Sequence, residues 1–168
     1  MPPPDHAIDP DGPGLLCPSS PCDWPGARLI GVVGGTVDRP SVVYTGPRPV
    51  SPDLLACAAP VTPTEVFRFA APCQENRCLQ FDGTRCRISE LIARLSPPVD
   101  GSAQPGALPS CGIRSRCRWW REEGVAACRS CSGIATDNPA IHPDLRSGIQ
   151  RLHSTHPGPP TGVISNGT

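Results

Sequence analysis

Apolar residues in this chain come in short bursts separated by proline- and glycine-rich breaks, and the period of each burst predicts its element. Arg28-Leu-Ile-Gly-Val-Val33 and Ser41-Val-Val-Tyr-Thr45 are β-branched runs on either side of Gly34-Gly-Thr-Val-Asp-Arg-Pro40. That pattern predicts two short strands joined by a loop, a β-hairpin. Ser51-Pro-Asp-Leu-Leu-Ala-Cys-Ala-Ala59 offers an N-cap serine, a first-turn proline and a first-turn acid, so a short helix is expected up to Pro60, which stops it. Thr62-Pro-Thr-Glu65 reads as a capping box. The following Val66-Phe-Arg-Phe-Ala70 alternates like a strand but also fits a continued helix, and its period leaves the two open.

Further on, Ile88, Leu91, Ile92 and Leu95 fall at i, i+3, i+4 and i+7, which predicts a helix over residues 86–95 with one apolar face. Ser96 to Pro109 is a Pro/Gly-rich loop. A second helix is expected from Ile113 to Glu123, ended by Gly124, and a weak one from Pro139 to His153. No internal repeat is evident. The whole predicts an α+β fold: a small, irregular cysteine-rich domain over residues 27–135 with a short β-hairpin and a few short helices. A Pro/Gly-rich disordered arm (1–26) precedes it, and a weak helix and disordered tail (136–168) follow it.

Composition changes this picture in one respect. The chain has 168 residues, enough for one domain of roughly 100 to 200 residues, but 24 prolines and 17 glycines make up close to a quarter of it and aromatics only 4%. A core so poor in large side chains is expected to need a staple, a structural metal or disulfides. The opening Met1-Pro-Pro-Pro-Asp-His-Ala-Ile-Asp-Pro10 has neither the basic nor the apolar region of a secretory signal, and no apolar run is long enough to span a membrane. A cytoplasmic location is therefore expected, where ten cysteines are more readily metal ligands or redox thiols than permanent disulfides. All 15 basic residues are arginine, and with abundant Gly, Ala and Pro this suggests a GC-rich, bacterial coding sequence.

Net charge is zero but uneven: residues 1–65 carry −4, residues 66–131 carry +4, and the remainder balances. The basic excess coincides with the cysteines, where it can offset an anionic thiolate–metal centre or meet an anionic partner. Cys73, Cys78, Cys86, Cys111, Cys117, Cys128 and Cys131 lie there, and the last two form a Cys-x2-Cys pair. Four thiolates close an all-sulfur site for zinc or for an iron–sulfur cluster. No histidine lies between residues 7 and 141, so a mixed Cys/His finger is disfavoured and a four-cysteine site drawn from these seven is expected. Trp119 and Trp120 can wall water from a cluster, or can simply be core. Arg114, Arg116, Arg118, Arg121 and Arg129 can supply counter-charge, or form a solvated face. Cys57, inside Leu-Leu-Ala-Cys-Ala-Ala, reads as apolar filler, and Cys17 and Cys22 as incidental thiols of the arm.

Catalytic patterns are weak. The four histidines, His6, His142, His153 and His156, all lie in the terminal stretches, far in sequence from the main thiols. Glu122 and Glu123 are adjacent and point apart on a helix. No lysine is available for a phosphate-binding loop. The chain is therefore expected not to be an enzyme. It reads first as an iron–sulfur protein, with a 4Fe–4S cluster as the expected kind, acting in electron transfer or redox sensing with a redox or protein partner. The alternative is a zinc-stapled adaptor that binds a protein or nucleic acid through an Arg/Trp surface, nucleic acid being the less favoured because the chain is neutral overall. A thiol redox couple at Cys128 and Cys131 ranks third.

Overall fold

The computed structural model describes residues 14–36, 38–95 and 108–137. The expected loop from Ser96 lies outside the described residues except at its end. So do the expected helix over 139–153, the first half of the expected arm and nearly all of the expected C-terminal tail. What is described is a mixed α+β domain: a four-stranded antiparallel sheet with four short helices. Among the described residues no helix is long and apolar enough to cross a membrane.

The hairpin forms as its pattern requires, as β2 (Arg28–Gly35) and β3 (Pro40–Pro49). With β1 (Leu16–Cys17) and β4 (Phe67–Pro72) the sheet runs in the order β1-β4-β2-β3. β3 is thus an edge strand, where its prolines cost no ladder bonds on the solvent side. A bulge between Leu29 and Gly31 re-aims Ile30 into the core, where it is 2% exposed. Gly31 must have no side chain, because a Cβ there would stand 2.7 Å from Val42 Cγ1 and 2.9 Å from the Val43 carbonyl oxygen. Gly31→Ala is accordingly expected to lower stability by about 1–3 kcal/mol. Gly34→Ala, whose Cβ would meet only the Ser41 oxygen at 3.7 Å, should leave the thermal midpoint nearly unchanged.

The helix signals are used locally. Ser51 caps α1 (Pro52–Ala56) by accepting from Leu54 N at 3.2 Å, and Glu65 reaches back to Thr62 N at 3.1 Å to start α2 (Pro63–Val66). The segment whose period was ambiguous becomes β4. It sits at the centre of the sheet between β1 and β2, and pairing on both edges overrides any tendency to prolong α2. The helix predicted over 86–95 is α3 (Arg87–Leu95); Ile92 is fully buried and Ile88 and Leu91 pack on the core.

Two expectations shift. The helix expected from Ile113 to Glu123 begins later and runs on as α4 (Arg118–Cys131), preceded by a 3-10 turn at Arg114–Arg116. Gly124, at φ 57 and ψ −133, is non-helical and breaks α4 where the expected helix was to end; a second helical stretch follows directly and carries Cys128 and Cys131. Residues 14–26, expected to belong to a loose arm, are packed. Leu16 pairs with Pro72 and Cys17 with Ala71, Ser20 N donates to the Phe69 oxygen at 3.2 Å, and Pro18 is fully buried. Averaging proline and glycine over the whole arm hides the apolar Leu15-Leu-Cys-Pro18, which is suited to a short strand at a sheet edge.

α3 and α4 pack against each other at one end of the sheet. The Glu122 carboxylate joins them, accepting from Cys86 N at 3.0 Å and from Ser89 Oγ at 2.6 Å. Glu123 turns away and pairs with Arg85. The core between helices and sheet is built from Leu16, Ile30, Ala70, Ile92, Ile113, Trp119 and Ala127 together with Cys117 and Cys131, and Cys86 and Cys111 pack at its margin. Cysteine thus forms part of the core itself.

Two cysteine quartets as candidate metal centres

Each of two cavities has four cysteines in its wall. Cys111, Cys117, Cys128 and Cys131 line one, a void of about 20 Å³ closed by Trp119 and Trp120. Cys17, Cys73, Cys78 and Cys86 line the other, about 570 Å³, whose wall includes the exposed Leu79. The seven cysteines singled out from the sequence therefore do not converge on one site: Cys73, Cys78 and Cys86 fall in one group and the remaining four in the other. The group of three is completed by Cys17, which sequence reasoning had set aside. Its signals were the apolar residues around it and the arithmetic of the set, since eight cysteines make two fours and seven do not. Cys22 and Cys57 line neither cavity. Cys57, expected as buried filler, is exposed and donates to the Asp53 oxygen at 3.2 Å.

Local backbone geometry presents the sulfurs in a repeated way. Amides two or three residues on donate to the sulfur at Cys17 (from Ser19), Cys73 (Glu75), Cys86 (Ser89 and Ile88), Cys111 (Ile113) and Cys117 (Trp120 and Trp119). A 3-10 turn separates the first two thiols of each sequence group, Glu75–Arg77 between Cys73 and Cys78, and Arg114–Arg116 between Cys111 and Cys117. One thiol of each quartet heads a helix: Cys86 precedes α3, and Cys117 is the N-cap of α4. Converging N–H groups and a helix N-terminus both favour an anion at sulfur.

Burial opposes them. It is the largest influence on Cys17, Cys73, Cys86 and Cys111, all pushed above the ordinary thiol value, and it drives Cys117 up to about 12. The neighbouring thiols of each quartet add to the rise, Cys86, Cys73 and Cys78 on Cys17, and Cys131 and Cys111 on Cys117. Bare, these five thiols therefore stay protonated at neutral pH. Thiols so buried become anionic only when a bound cation supplies the charge, and binding then releases protons.

Donors of positive charge surround both groups. Arg68, fully buried on β4, donates to the carbonyl oxygens of Pro18 and Ile134, to Cys131 O at 3.4 Å and to Cys131 Sγ at 3.4 Å, while its guanidinium lies 5.5 Å from the Trp119 ring centre. Tyr44 Oη donates to the same sulfur at 3.1 Å. Beside the other quartet, Arg118 pairs with Glu75 and Glu122, hydrogen-bonds the Cys73 thiol and lies over Phe81 at 5.0 Å. Of the arginines expected to supply counter-charge, Arg118 and Arg114 stand on cavity walls. Arg68 was missed, although an arginine inside Phe-Arg-Phe-Ala-Ala, wherever that segment is a buried strand, signals a polar group with a dedicated partner. Trp119 and Arg118 are 2% and 6% exposed, so neither contributes to an Arg/Trp docking surface.

Three buried donors on these walls have no hydrogen-bond partner: Trp119 Nε1, Arg118 Nε and Arg114 Nε. The Trp119 indole nonetheless stands near enough to the Cys86 sulfur to lower its proton affinity. Among the described residues no three or more His, Cys, Asp or Glu side chains are placed to hold a metal ion. The thiols are spread around cavities instead. No protein family, no curated protein and no solved structure matches the chain.

Proposed function

We propose that the chain is an iron–sulfur protein that acts in electron transfer or redox sensing, with a cluster held by Cys111, Cys117, Cys128 and Cys131. The carrying observation is the wall of the enclosed cavity: four thiols, no histidine, no carboxylate, and two tryptophans. Such a donor set is the one that iron–sulfur clusters take, and zinc can share it. The void, about 20 Å³, is the size of a single water and does not separate the two; what favours the cluster is the hydrogen bonding at sulfur. The two donors on Cys131 Sγ, Tyr44 and Arg68, are of the kind that stabilises a cluster's reduced, more negative state.

Anaerobically purified protein is expected to be brown, to absorb broadly across the visible range and to bleach with dithionite or air. A colourless protein holding stoichiometric zinc contradicts the reading. Tyr44→Phe removes one hydrogen bond to sulfur and no ligand, so it should lower the reduction potential while iron content stays at the wild-type level. An unchanged potential would mean that the phenol does not touch a ligating sulfur.

A further inference from the structure

We propose that the chain carries two iron–sulfur clusters, one on each cysteine quartet, placed as electronic neighbours across Trp119. The inference rests on the reading of the enclosed quartet as a cluster site and adds a second centre on Cys17, Cys73, Cys78 and Cys86. Its first ground is that the wall of the larger cavity repeats the construction of the enclosed one. Each has four thiols, a 3-10 turn between two of them, a thiol heading a helix, and amides donating to sulfur from two or three residues on.

A second ground lies in the buried donors beside the thiols. Arg118 Nε has no partner and Trp119 Nε1 has only the Cys86 sulfur near it; both residues line the larger cavity, and both are more than nine-tenths buried. Burying a donor unsatisfied costs about 1–3 kcal/mol. Protonated thiols are weak acceptors and do little to offset this, but the sulfides and thiolates of an anionic cluster accept readily. A cavity of about 570 Å³ is also far larger than a bare ion or a single water requires.

Adjacency follows from the backbone. Leu16 bridges to Cys117 in parallel, so Cys17 of one quartet lies beside the strand position of Cys117 in the other. Trp119, two residues beyond Cys117, lies in both walls. An electron taken up at one cluster from a one-electron reductant passes to the other with no bond made or broken; the first cluster returns to its oxidised state and the second becomes reduced. The N-terminal strand thereby has a role beyond packing, since it delivers the ligand that closes the second centre.

The test is iron and sulfide content, with EPR, on the anaerobically purified full chain. Wild-type protein is expected to hold about eight iron atoms per chain, two four-iron clusters, and after dithionite reduction to show signals broadened or split by spin coupling. Cys17→Ser should halve the iron and leave one narrow, uncoupled signal, while Cys22→Ser and Cys57→Ser leave iron and EPR as in the wild type. If Cys17→Ser fails to fold, the wild-type iron count and coupling decide. About four iron atoms in the wild type, unaffected by Cys17→Ser, overturn the two-cluster inference and leave the single-cluster reading standing. Zinc in place of iron overturns both.

Discussion

Arg68→Met is expected to lower the stability of the metal-loaded protein by about 3–5 kcal/mol, a large part of the roughly 5–15 kcal/mol of an ordinary domain. The side chain is fully buried and holds together three segments distant in sequence. Its donors reach Pro18 beside β1, and Cys131 and Ile134 at the end of α4. Methionine fills much of the volume but leaves those carbonyl oxygens without their donor and removes the cation next to Cys131 Sγ. The loss should be smaller once metal is removed. A buried guanidinium facing only neutral acceptors is poorly compensated, and the anionic centre proposed at Cys131 would make its burial favourable. Anaerobic denaturant midpoints of loaded and metal-free protein, each with and without the substitution, measure this difference. Equal losses in both states would mean that Arg68 is only a structural tie.

The second large effect is loss of the fold itself on loss of metal. Chelation under reducing conditions, or exposure to air, is expected to abolish cooperative unfolding and to shift the fluorescence of buried Trp119 to the red. Cysteine takes up part of the core: Cys117 and Cys131 belong to the cluster between helices and sheet, to which the sheet contributes Leu16, Ile30 and Ala70, and Cys86 and Cys111 border it. Metal binding in small all-thiolate sites supplies free energy comparable to or above a domain's whole stability, about 10–16 kcal/mol where zinc has been the ligand. A metal-free chain that keeps a sharp thermal transition and a blue-shifted tryptophan would show that the apolar core suffices.

The parts of this fold that were legible in the sequence are those where the local signal and the tertiary outcome coincide. The β-branched runs around Gly34 to Pro40 pair with each other, Ser51 and Glu65 act on their own helix starts, and the Ile88/Ile92 face is the one that is buried. Where tertiary contacts decide, sequence reasoning failed for identifiable reasons. The helix does break at Gly124, at φ 57 and ψ −133, but the start of α4 at Arg118 and the helical stretch that follows the break were not expected. Phe67–Pro72 is fixed as a strand by two neighbours that lie far away in the chain.

The candidate site shows the same division. The cysteine-rich region follows from residue counts, and the expectation of an all-sulfur site from the absence of histidine beside it. The partition into two groups does not, because it depends on a residue contributed by an N-terminal strand 56 positions before the next thiol of its quartet, Cys17 before Cys73. A charged group hidden inside a strand, Arg68, is equally invisible until the strand is known to be central. Both omissions have one cause: each residue's role is set by the opposite side of a cavity, and local windows of sequence do not contain that side.

The most direct measurement of the central claim is the Mössbauer spectrum of the full chain produced with iron-57 and kept anaerobic. Iron in tetrahedral all-sulfur coordination with delocalised valence is expected, changing on dithionite reduction, with that signal reduced to about half in Cys17→Ser. A spectrum with no protein-bound iron, or with iron only in oxygen and nitrogen coordination, would contradict it.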